Sequence, residues 1–244
     1  MSGVPLSPMR STVWSMALGF VLMAFGLSES QAGSRTDGIT FAAKPAQVFV
    51  PIHEAESQLA LDVERAENGG VESINGVPLK PGDRAGLVDG TELISVAALG
   101  RLGVALISEA DGQSFVLSTG WWRKMRVQVG AQRVEVSLAE QRLRGWQGDR
   151  LVLETKISSG RNGRTPKGEF VAGPYKAAMH RSSLYNDAPM PWSVQINGNI
   201  FVHGFTSVPD YPASHGCIRM PLDGGNPAKW FYEWVSRGTP VVVK

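Results

Sequence analysis

The sequence predicts a small α+β domain over residues 47–130, followed by a mainly β domain with short helices over residues 131–244. In both parts, short alternating or apolar runs are separated by turn signals, a pattern typical of strands and hairpins. Each part also has one segment whose apolar residues lie at helical spacing. A chain of 244 residues is long enough for one ordinary domain and a smaller companion.

The first 32 residues have the pattern of a secretory signal peptide. Arg10 supplies positive charge, residues 13–27 are largely apolar, and Ser30-Gln31-Ala32 has the small-x-small form of a cleavage site. We expect cleavage after Ala32, an exported protein, and no membrane span after cleavage. An uncleaved membrane anchor stays open as an alternative, although the apolar stretch is shorter than the roughly 20 residues of a spanning helix.

The composition indicates a globular chain, with 43% hydrophobic and 19% charged residues. The net charge is only +2, and no Lys/Arg run is interleaved with aromatic residues. A nucleic-acid track needs such a run, so nucleic acid is not an expected partner.

Residues 33–46 form a polar stretch without sustained periodicity and are interpreted as a linker. In residues 47–130, Val96, Leu99 and Leu102 lie at helical spacing after a possible cap, Ser95. Four turn pairs separate the runs of this part: Asn75-Gly76, Pro81-Gly82, Asp89-Gly90 and Asp111-Gly112.

The order of these turns and of the short helix resembles the copper amine oxidase N-terminal-like domain over roughly 60 residues. The resemblance does not imply copper, since the only histidine of this part, His53, lies outside it and the part contains no cysteine. We interpret residues 47–130 as a scaffold or a module that contacts the cell wall.

In residues 131–244, a late helix is expected over residues 227–237, where Trp230, Phe231, Trp234 and Val235 have helical spacing. The strands expected from alternation are residues 133–138, 150–157, 193–196, 200–203 and 240–243.

The chemistry is expected in the segment Ser214–Arg219, which reads Ser-His-Gly-Cys-Ile-Arg, and in the preceding Phe201–Gly204, which reads Phe-Val-His-Gly. Cys217 is the only cysteine, so it has no partner for an intramolecular disulfide. A free thiol is weakly ionised near neutral pH and needs a neighbouring imidazole to act as a nucleophile. His203 and His215 are the candidates.

Two further residues suit an attack on an amide. Gly216 lets the backbone approach closely, so the amides of residues 215–217 could bind the developing oxyanion. Arg219 could hold a substrate carboxylate in a forked pair, which would favour acidic peptides.

These residues resemble the signature of the L,D-transpeptidase catalytic domain (the YkuD-type family), and the likeness extends from about Arg133 to the C-terminus. Three other segments resemble family motifs: Thr165–Phe170, which reads Thr-Pro-Lys-Gly-Glu-Phe, the strand end Ser158-Ser159-Gly160, and Met190-Pro191-Trp192.

The resemblance implies an L,D-transpeptidase-like β-sandwich and a peptidoglycan enzyme of the periplasm or cell-wall space. It implies Cys217 as the acyl-forming nucleophile, His203 as general base oriented by the Gly204 carbonyl, and His215 as support for the oxyanion region beside Gly216. Arg219, Ser214 and Trp192 are the expected substrate-binding residues, although Trp192 could instead fill the core. No cofactor and no metal are implied.

The implied reaction attacks the bond between a diaminopimelate-type third residue and the D-alanine at the fourth position of a stem peptide, and an amine then accepts the acyl group. The amine could belong to a second stem peptide or a lipoprotein, which would cross-link or remodel the wall. A short loop over residues 205–213 and Arg219, where many members have Asn, leave the acceptor open.

Three alternatives remain. Water as acceptor would make the protein an L,D-carboxypeptidase. A zinc site made of His203, His215 and Cys217 is a second possibility, and a non-catalytic wall-binding module is the third. His53 and His180 have no partner in sequence and are interpreted as ordinary surface or satisfied residues.

Overall fold

The computed structural model describes residues 35–244, together with Met1 and Gly3. The expected signal peptide and its cleavage site therefore lie outside the described residues, apart from those two positions. Within the described part, no helix is both long and apolar enough to cross a membrane.

The first part of the chain is built of short strands with two helices and one 3₁₀ turn, Pro81–Asp83. The elements are β1 (Arg35–Phe41), β2 (Lys44–Pro51), α1 (Ile52–Leu59), β3 (Val63–Arg65), β4 (Val71–Ile74), β5 (Val77–Pro78), β6 (Arg84–Gly86), β7 (Glu92–Ser95), α2 (Val96–Arg101), β8 (Ala105–Ser108), β9 (Ser114–Thr119) and β10 (Arg123–Val129).

These strands form a seven-stranded sheet in the order β6-β7-β2-β1-β10-β9-β8 and a three-stranded sheet in the order β3-β4-β5. Helices α1 and α2 pack on the larger sheet through a core that includes Leu59, Leu99 and Met125, all fully buried. The expected helix after Ser95 is confirmed: the Ser95 hydroxyl accepts a hydrogen bond from the Ala98 amide at 3.0 Å.

One expectation for this part is wrong, and one helix was not predicted. The stretch interpreted as a linker, residues 33–46, contains all of β1 and the start of β2. The polar sequence of this stretch is misleading because β1 lies between β2 and β10. The small residues Thr36 and Gly38 are covered there by side chains of neighbouring elements. Helix α1 was not expected either, since only Ile52, Ala55 and Leu59 are buried on it.

The second part is also mainly β, with one α-helix and a 3₁₀ turn at Arg161–Gly163. Its elements are β11 (Gln132–Ser137), β12 (Arg142–Gln147), β13 (Arg150–Lys156), β14 (Gly168–Val171), β15 (Lys176–Ser182), β16 (Ala188–Asn197), β17 (Ile200–Phe205), β18 (Ile218–Pro221), α3 (Pro227–Trp234) and β19 (Pro240–Val243).

A five-stranded sheet, β13-β12-β11-β19-β14, and a four-stranded sheet, β15-β16-β17-β18, share one buried core. Val136 and Val241 enter it from the first sheet, and Val202 and Met220 enter it from the second. The mainly β sandwich with short helices is therefore confirmed. Helix α3 ends at Trp234, earlier than expected, because Val235 is already extended.

Residues 35–244 belong to one compact unit, so the division near residue 130 stays a prediction. Contacts across it are extensive: the carbonyls of Glu233 and Trp234, at the end of α3, accept hydrogen bonds from the Ala43 and Ala42 amides at 2.9 and 3.2 Å. The helix C-terminus is thus capped by the β1–β2 turn. This matters for the site because α3 packs beneath β17 and β18.

Candidate active site

Strands β17 and β18 bring the expected site residues onto one face of the sheet. They run parallel, with Val202 opposite Ile218 and His203 opposite Arg219. Successive side chains of a strand point to opposite faces. Val202 and Ile218 are fully buried in the core, so His203, Arg219 and Cys217, two residues before Arg219, face the other side.

On that side lies a cavity of about 110 Å³. Five of the expected site residues line it: His203, Ser214, His215, Cys217 and Arg219. The opposite wall comes from the β15–β16 hairpin, including His180, Tyr185 and Met190.

His203 is 4% exposed, and its Nδ1 lies 2.9 Å from the Gly204 carbonyl oxygen. A carbonyl only accepts hydrogen bonds, so Nδ1 carries the proton and Nε2 is left as an acceptor. Burial lowers the pKa of His203 from 6.5 to about 4, against the opposing effect of the Gly204 hydrogen bond. The imidazole is therefore neutral at neutral pH.

Gly204 lies close to α3 and to the residues before it. A Cβ at this position would displace the end of the Leu222 side chain and lie 3.2 Å from Ala228 Cβ. The close approach of β17 to α3 is therefore favoured by the missing side chain.

Cys217 also prefers its neutral form in this cavity. Burial raises the pKa of the thiol, while the Phe201 amide and the positive charge of Arg219 partly oppose the rise. The thiol donates to the Asn199 carbonyl oxygen with an Sγ–O distance of 3.5 Å. The resting site therefore holds a thiol and a neutral imidazole rather than an ion pair.

The turn before the cysteine is held by Ser214, which is 2% exposed. Its hydroxyl donates to the Cys217 carbonyl at 2.5 Å and accepts from the Gly216 amide at 3.0 Å. The Ser214 hydroxyl is therefore engaged within the turn, and its expected role in substrate binding stays a prediction. The Gly216 amide is also bonded within the turn, so we do not assign it to the oxyanion, although it was one of the expected donors.

A second segment, which contains Gly160 and Thr165, also holds this turn in place. The Thr165 hydroxyl donates to the Gly216 carbonyl at 2.7 Å and accepts from the Gly160 amide at 2.7 Å. A Cβ on Gly160 would lie 2.8 Å from Gly216 Cα. Thr165 and Gly160, quoted above from two sequence motifs, thus support the backbone next to the cysteine.

His215 lies at the open edge of the cavity. Its Nε2 is 2.7 Å from Arg161 Nη2, and its ring stacks on Tyr185 with centroids 4.4 Å apart and planes 16° apart. Desolvation and the positive charges of Arg161, Arg164 and Arg219 lower the pKa of His215. This ring is therefore neutral as well.

Arg219 places its guanidinium carbon 4.0 Å from the centroid of the Phe205 ring. Within residues 35–244, no carboxylate lies within ion-pairing distance of it. The aromatic contact holds the side chain in the cavity wall and leaves its charge available to an anion.

Trp192 is not among the residues that line the cavity, so the geometry gives no support to its expected role in substrate binding and favours the alternative of a core residue. Its ring packs against Tyr232 at 5.6 Å and lies 5.6 Å from Lys229 Nζ, both on α3. The reason is a backbone φ of 57°, which interrupts the strand alternation at this position. The side chain fills the edge of the core instead.

Three cavity residues were not expected from the sequence. His180, interpreted as an ordinary residue, stacks on Phe201 with centroids 5.0 Å apart. Tyr185 covers His215, and Asn199 supplies the carbonyl that faces the thiol. Asn199 follows the Asn197-Gly198 turn that leads into the histidine strand, a local signal that predicts a residue over the site.

In residues 35–244, no three side chains of His, Cys, Asp or Glu converge in a way that would hold a metal ion. Within this part of the chain the Nε2 atom of His203 is free, but the Nε2 atom of His215 is bonded to Arg161, so the two imidazoles and the thiol do not form a common ligand set. The zinc alternative therefore gains no support from the geometry.

The fold and the site define a mainly β protein with a Cys–His cavity at the end of two parallel strands. Residues 131–243 match the family model YkuD, the L,D-transpeptidase catalytic domain. This segment is thereby identified as an L,D-transpeptidase catalytic domain. Among curated proteins, none matches the chain.

Several solved structures are similar to this chain. An L,D-transpeptidase from Stackebrandtia nassauensis has 24% identity and a TM-score of 0.42, with 47% of this chain and 55% of that chain covered. One from Xylanimonas cellulosilytica has 29% identity and a TM-score of 0.42, with 48% and 62% covered. The chain thus spans less than two thirds of either. One from Mycobacterium smegmatis has 16% identity and a TM-score of 0.42, with 88% and 96% covered.

Proposed function

We propose that this protein is a peptidoglycan L,D-transpeptidase that acts outside the cytoplasm, in the periplasm or cell-wall space. The observation that carries the proposal is the shared face of β17 and β18, where Cys217 and a neutral His203 with a fixed Nδ1 proton line one cavity. The family match over residues 131–243 supports the same reaction class.

In the first step, His203 Nε2 takes the thiol proton as Cys217 Sγ attacks the carbonyl carbon that joins the third residue of the stem peptide to the following D-alanine. Because both groups are neutral at rest, proton transfer accompanies the attack instead of preceding it. The Gly204 carbonyl stabilises the imidazolium that forms, since it accepts the Nδ1 proton.

The oxyanion then needs hydrogen-bond donors. The Gly216 amide is bonded to Ser214, which leaves the Cys217 and His215 amides as the donors we assign to the oxyanion. The C–N bond breaks, the His203 proton passes to the leaving D-alanine amine, and a thioester remains on Cys217. An acceptor amine from a second stem peptide or a lipoprotein attacks this thioester, and His203 takes its proton. The C–S bond breaks as the new amide forms, and the proton on His203 returns to the Cys217 thiolate.

The experiment incubates the full chain with purified disaccharide tetrapeptides and analyses the products by mass spectrometry. Release of D-alanine together with a 3–3-linked dimer supports transpeptidation. Release without a dimer, even with added amine, would assign water as acceptor and make the protein a carboxypeptidase. Unchanged substrate and an unmodified Cys217 would contradict both. Cys217→Ala is the blank for contaminating activity.

A further inference from the structure

Arg161 lies at the edge of the cavity, and nothing above assigns it a role. Its Nη2 is 2.7 Å from His215 Nε2. A guanidinium donates hydrogen bonds and never accepts them, so His215 Nε2 is the acceptor and the ring proton lies on Nδ1. Arg161 therefore fixes the tautomer of a histidine two residues from the nucleophile.

The backbone of Arg161 is held against the cysteine turn. Its amide donates to the Ser214 carbonyl at 3.1 Å, and the preceding Gly160 forms a parallel bridge with Ser214. Thr165 ties the other end of the loop to Gly216. The backbone of Arg161 is thus held in a fixed position relative to Cys217, which a substrate-binding residue requires.

Positive charge is concentrated here. Arg161, Arg164 and Arg219 all act on the pKa of His215, and the charge of Arg161 also acts on Arg219. Within residues 35–244, none of the three has a carboxylate within ion-pairing distance. By contrast, Arg144 on β12 is paired with two glutamates. Arg161, which contacts His215, and Arg219, which lines the cavity, therefore place two unneutralised guanidiniums at this edge, and these attract an anion.

We propose that Arg161 binds a carboxylate of the peptide donor and so selects acidic donors. The inference rests on the proposed function. Such a donor carries two candidate carboxylates: the terminal carboxylate of the leaving D-amino acid, whose oxygens lie about 3–5 Å from the attacked carbonyl carbon by backbone dimensions, and the side-chain carboxylate of a diaminopimelate-type third residue. Their chemistry is the same, and a planar guanidinium fork matches either.

The test measures binding in the inactive Cys217→Ala background, so that it does not depend on turnover. Isothermal calorimetry compares three synthetic donors: the free tetrapeptide, its C-terminal amide, and a tetrapeptide whose third-residue side chain is amidated. We expect Cys217→Ala to bind the free tetrapeptide about tenfold more tightly than one of the two amides. The amide that loses affinity identifies the carboxylate.

Adding Arg161→Gln to Cys217→Ala should remove that preference, because the affinity for the free tetrapeptide alone should fall. Arg161→Lys in its place should restore part of the preference, since lysine supplies the positive charge but not the forked pair of hydrogen bonds. Arg123→Gln, an exposed arginine of β10, is the matched control and should keep the preference. Equal affinity for all three donors in the parent, or an unchanged preference after Arg161→Gln, would overturn the proposal. A donor that binds with this preference but is never cleaved by the intact protein would contradict the proposed function instead.

Discussion

The Nδ1 atom of His203 lies 2.9 Å from the carbonyl oxygen of Gly204, its own neighbour in β17. This contact fixes the ring orientation and the tautomer without any acidic partner. A histidine oriented by a carbonyl stays less basic than one oriented by a carboxylate, which agrees with a pKa lowered to about 4 by burial. The chemistry of the site follows from this neutral base.

The first prediction concerns the pH dependence of Cys217 acylation. His203 is in its basic form above about pH 4, and burial keeps the thiol protonated through neutral pH. Acylation at pH 7 should therefore depend on His203, and His203→Ala should slow it by about 10²–10⁴-fold. The loss should shrink at high pH, where the thiol ionises unaided. Stopped-time mass spectrometry from pH 5 to 10 gives both profiles, and parallel profiles would remove His203 from the base role.

The second prediction concerns stability. The pKa of His203 falls from 6.5 to about 4 on folding, so between these values the unfolded chain binds a proton that the folded chain does not. The free energy of unfolding should therefore fall as pH drops from 6.5 towards 4, by as much as about 3 kcal/mol from this residue. His203→Gln should remove that part of the pH dependence in urea titrations. The exposed His53→Gln should retain it, and equal slopes in all three proteins would contradict the prediction.

The third prediction concerns the contact between Gly160 and Gly216. Gly160→Ala places a Cβ 2.8 Å from Gly216 Cα and 2.8 Å from the Thr165 nitrogen, two backbone atoms that cannot rotate away. We expect a loss of about 1–3 kcal/mol in the free energy of unfolding and a larger proportional loss of acylation, because the cysteine turn must shift. Gly82→Ala, with open space around its Cβ, is the matched control. A fully active Gly160→Ala protein would mean that the turn tolerates displacement.

The fourth prediction concerns the Thr165 hydroxyl, which bonds to the Gly160 amide and the Gly216 carbonyl at 2.7 Å each. Thr165→Val keeps the shape and leaves both buried groups unpaired, so we expect a destabilisation of about 1–3 kcal/mol and slower acylation. Thr155→Val is a suitable comparison, since that buried hydroxyl makes one longer hydrogen bond of 3.3 Å in β13. If the two variants behave alike in urea unfolding and acylation, Thr165 has no special role.

The sequence predicted the core of the site because its signal is local. His203 lies on a strand with clear alternation, and Cys217 belongs to a motif of consecutive residues that ends in β18. Arg161 and Tyr185 could not be assigned, since each meets His215 only through tertiary contacts of a loop and a hairpin. Trp192 was assigned from a motif alone, and with a positive φ at this position its ring packs against Tyr232 on α3.

The fold was likewise predicted where the sequence signal is local and missed where the structure depends on tertiary contacts. The helix after Ser95 and the histidine strand β17 carry regular patterns and were predicted, whereas β15 and β18, which also border the site, were not. Strand β1 was taken for part of a linker because Thr36 and Gly38 occupy positions that neighbouring strands cover. A polar sequence in the middle of a sheet is recognised only once its partners are known.

The most direct test of the central claim is the mass of the enzyme trapped during turnover. The full chain is mixed with a tetrapeptide donor, quenched in acid within seconds, and analysed by intact mass and peptide mapping. The account predicts an adduct equal to the donor less D-alanine, located on the peptide containing Cys217 and absent from Cys217→Ala. Release of D-alanine with no adduct on Cys217, or an adduct on another residue, would contradict it.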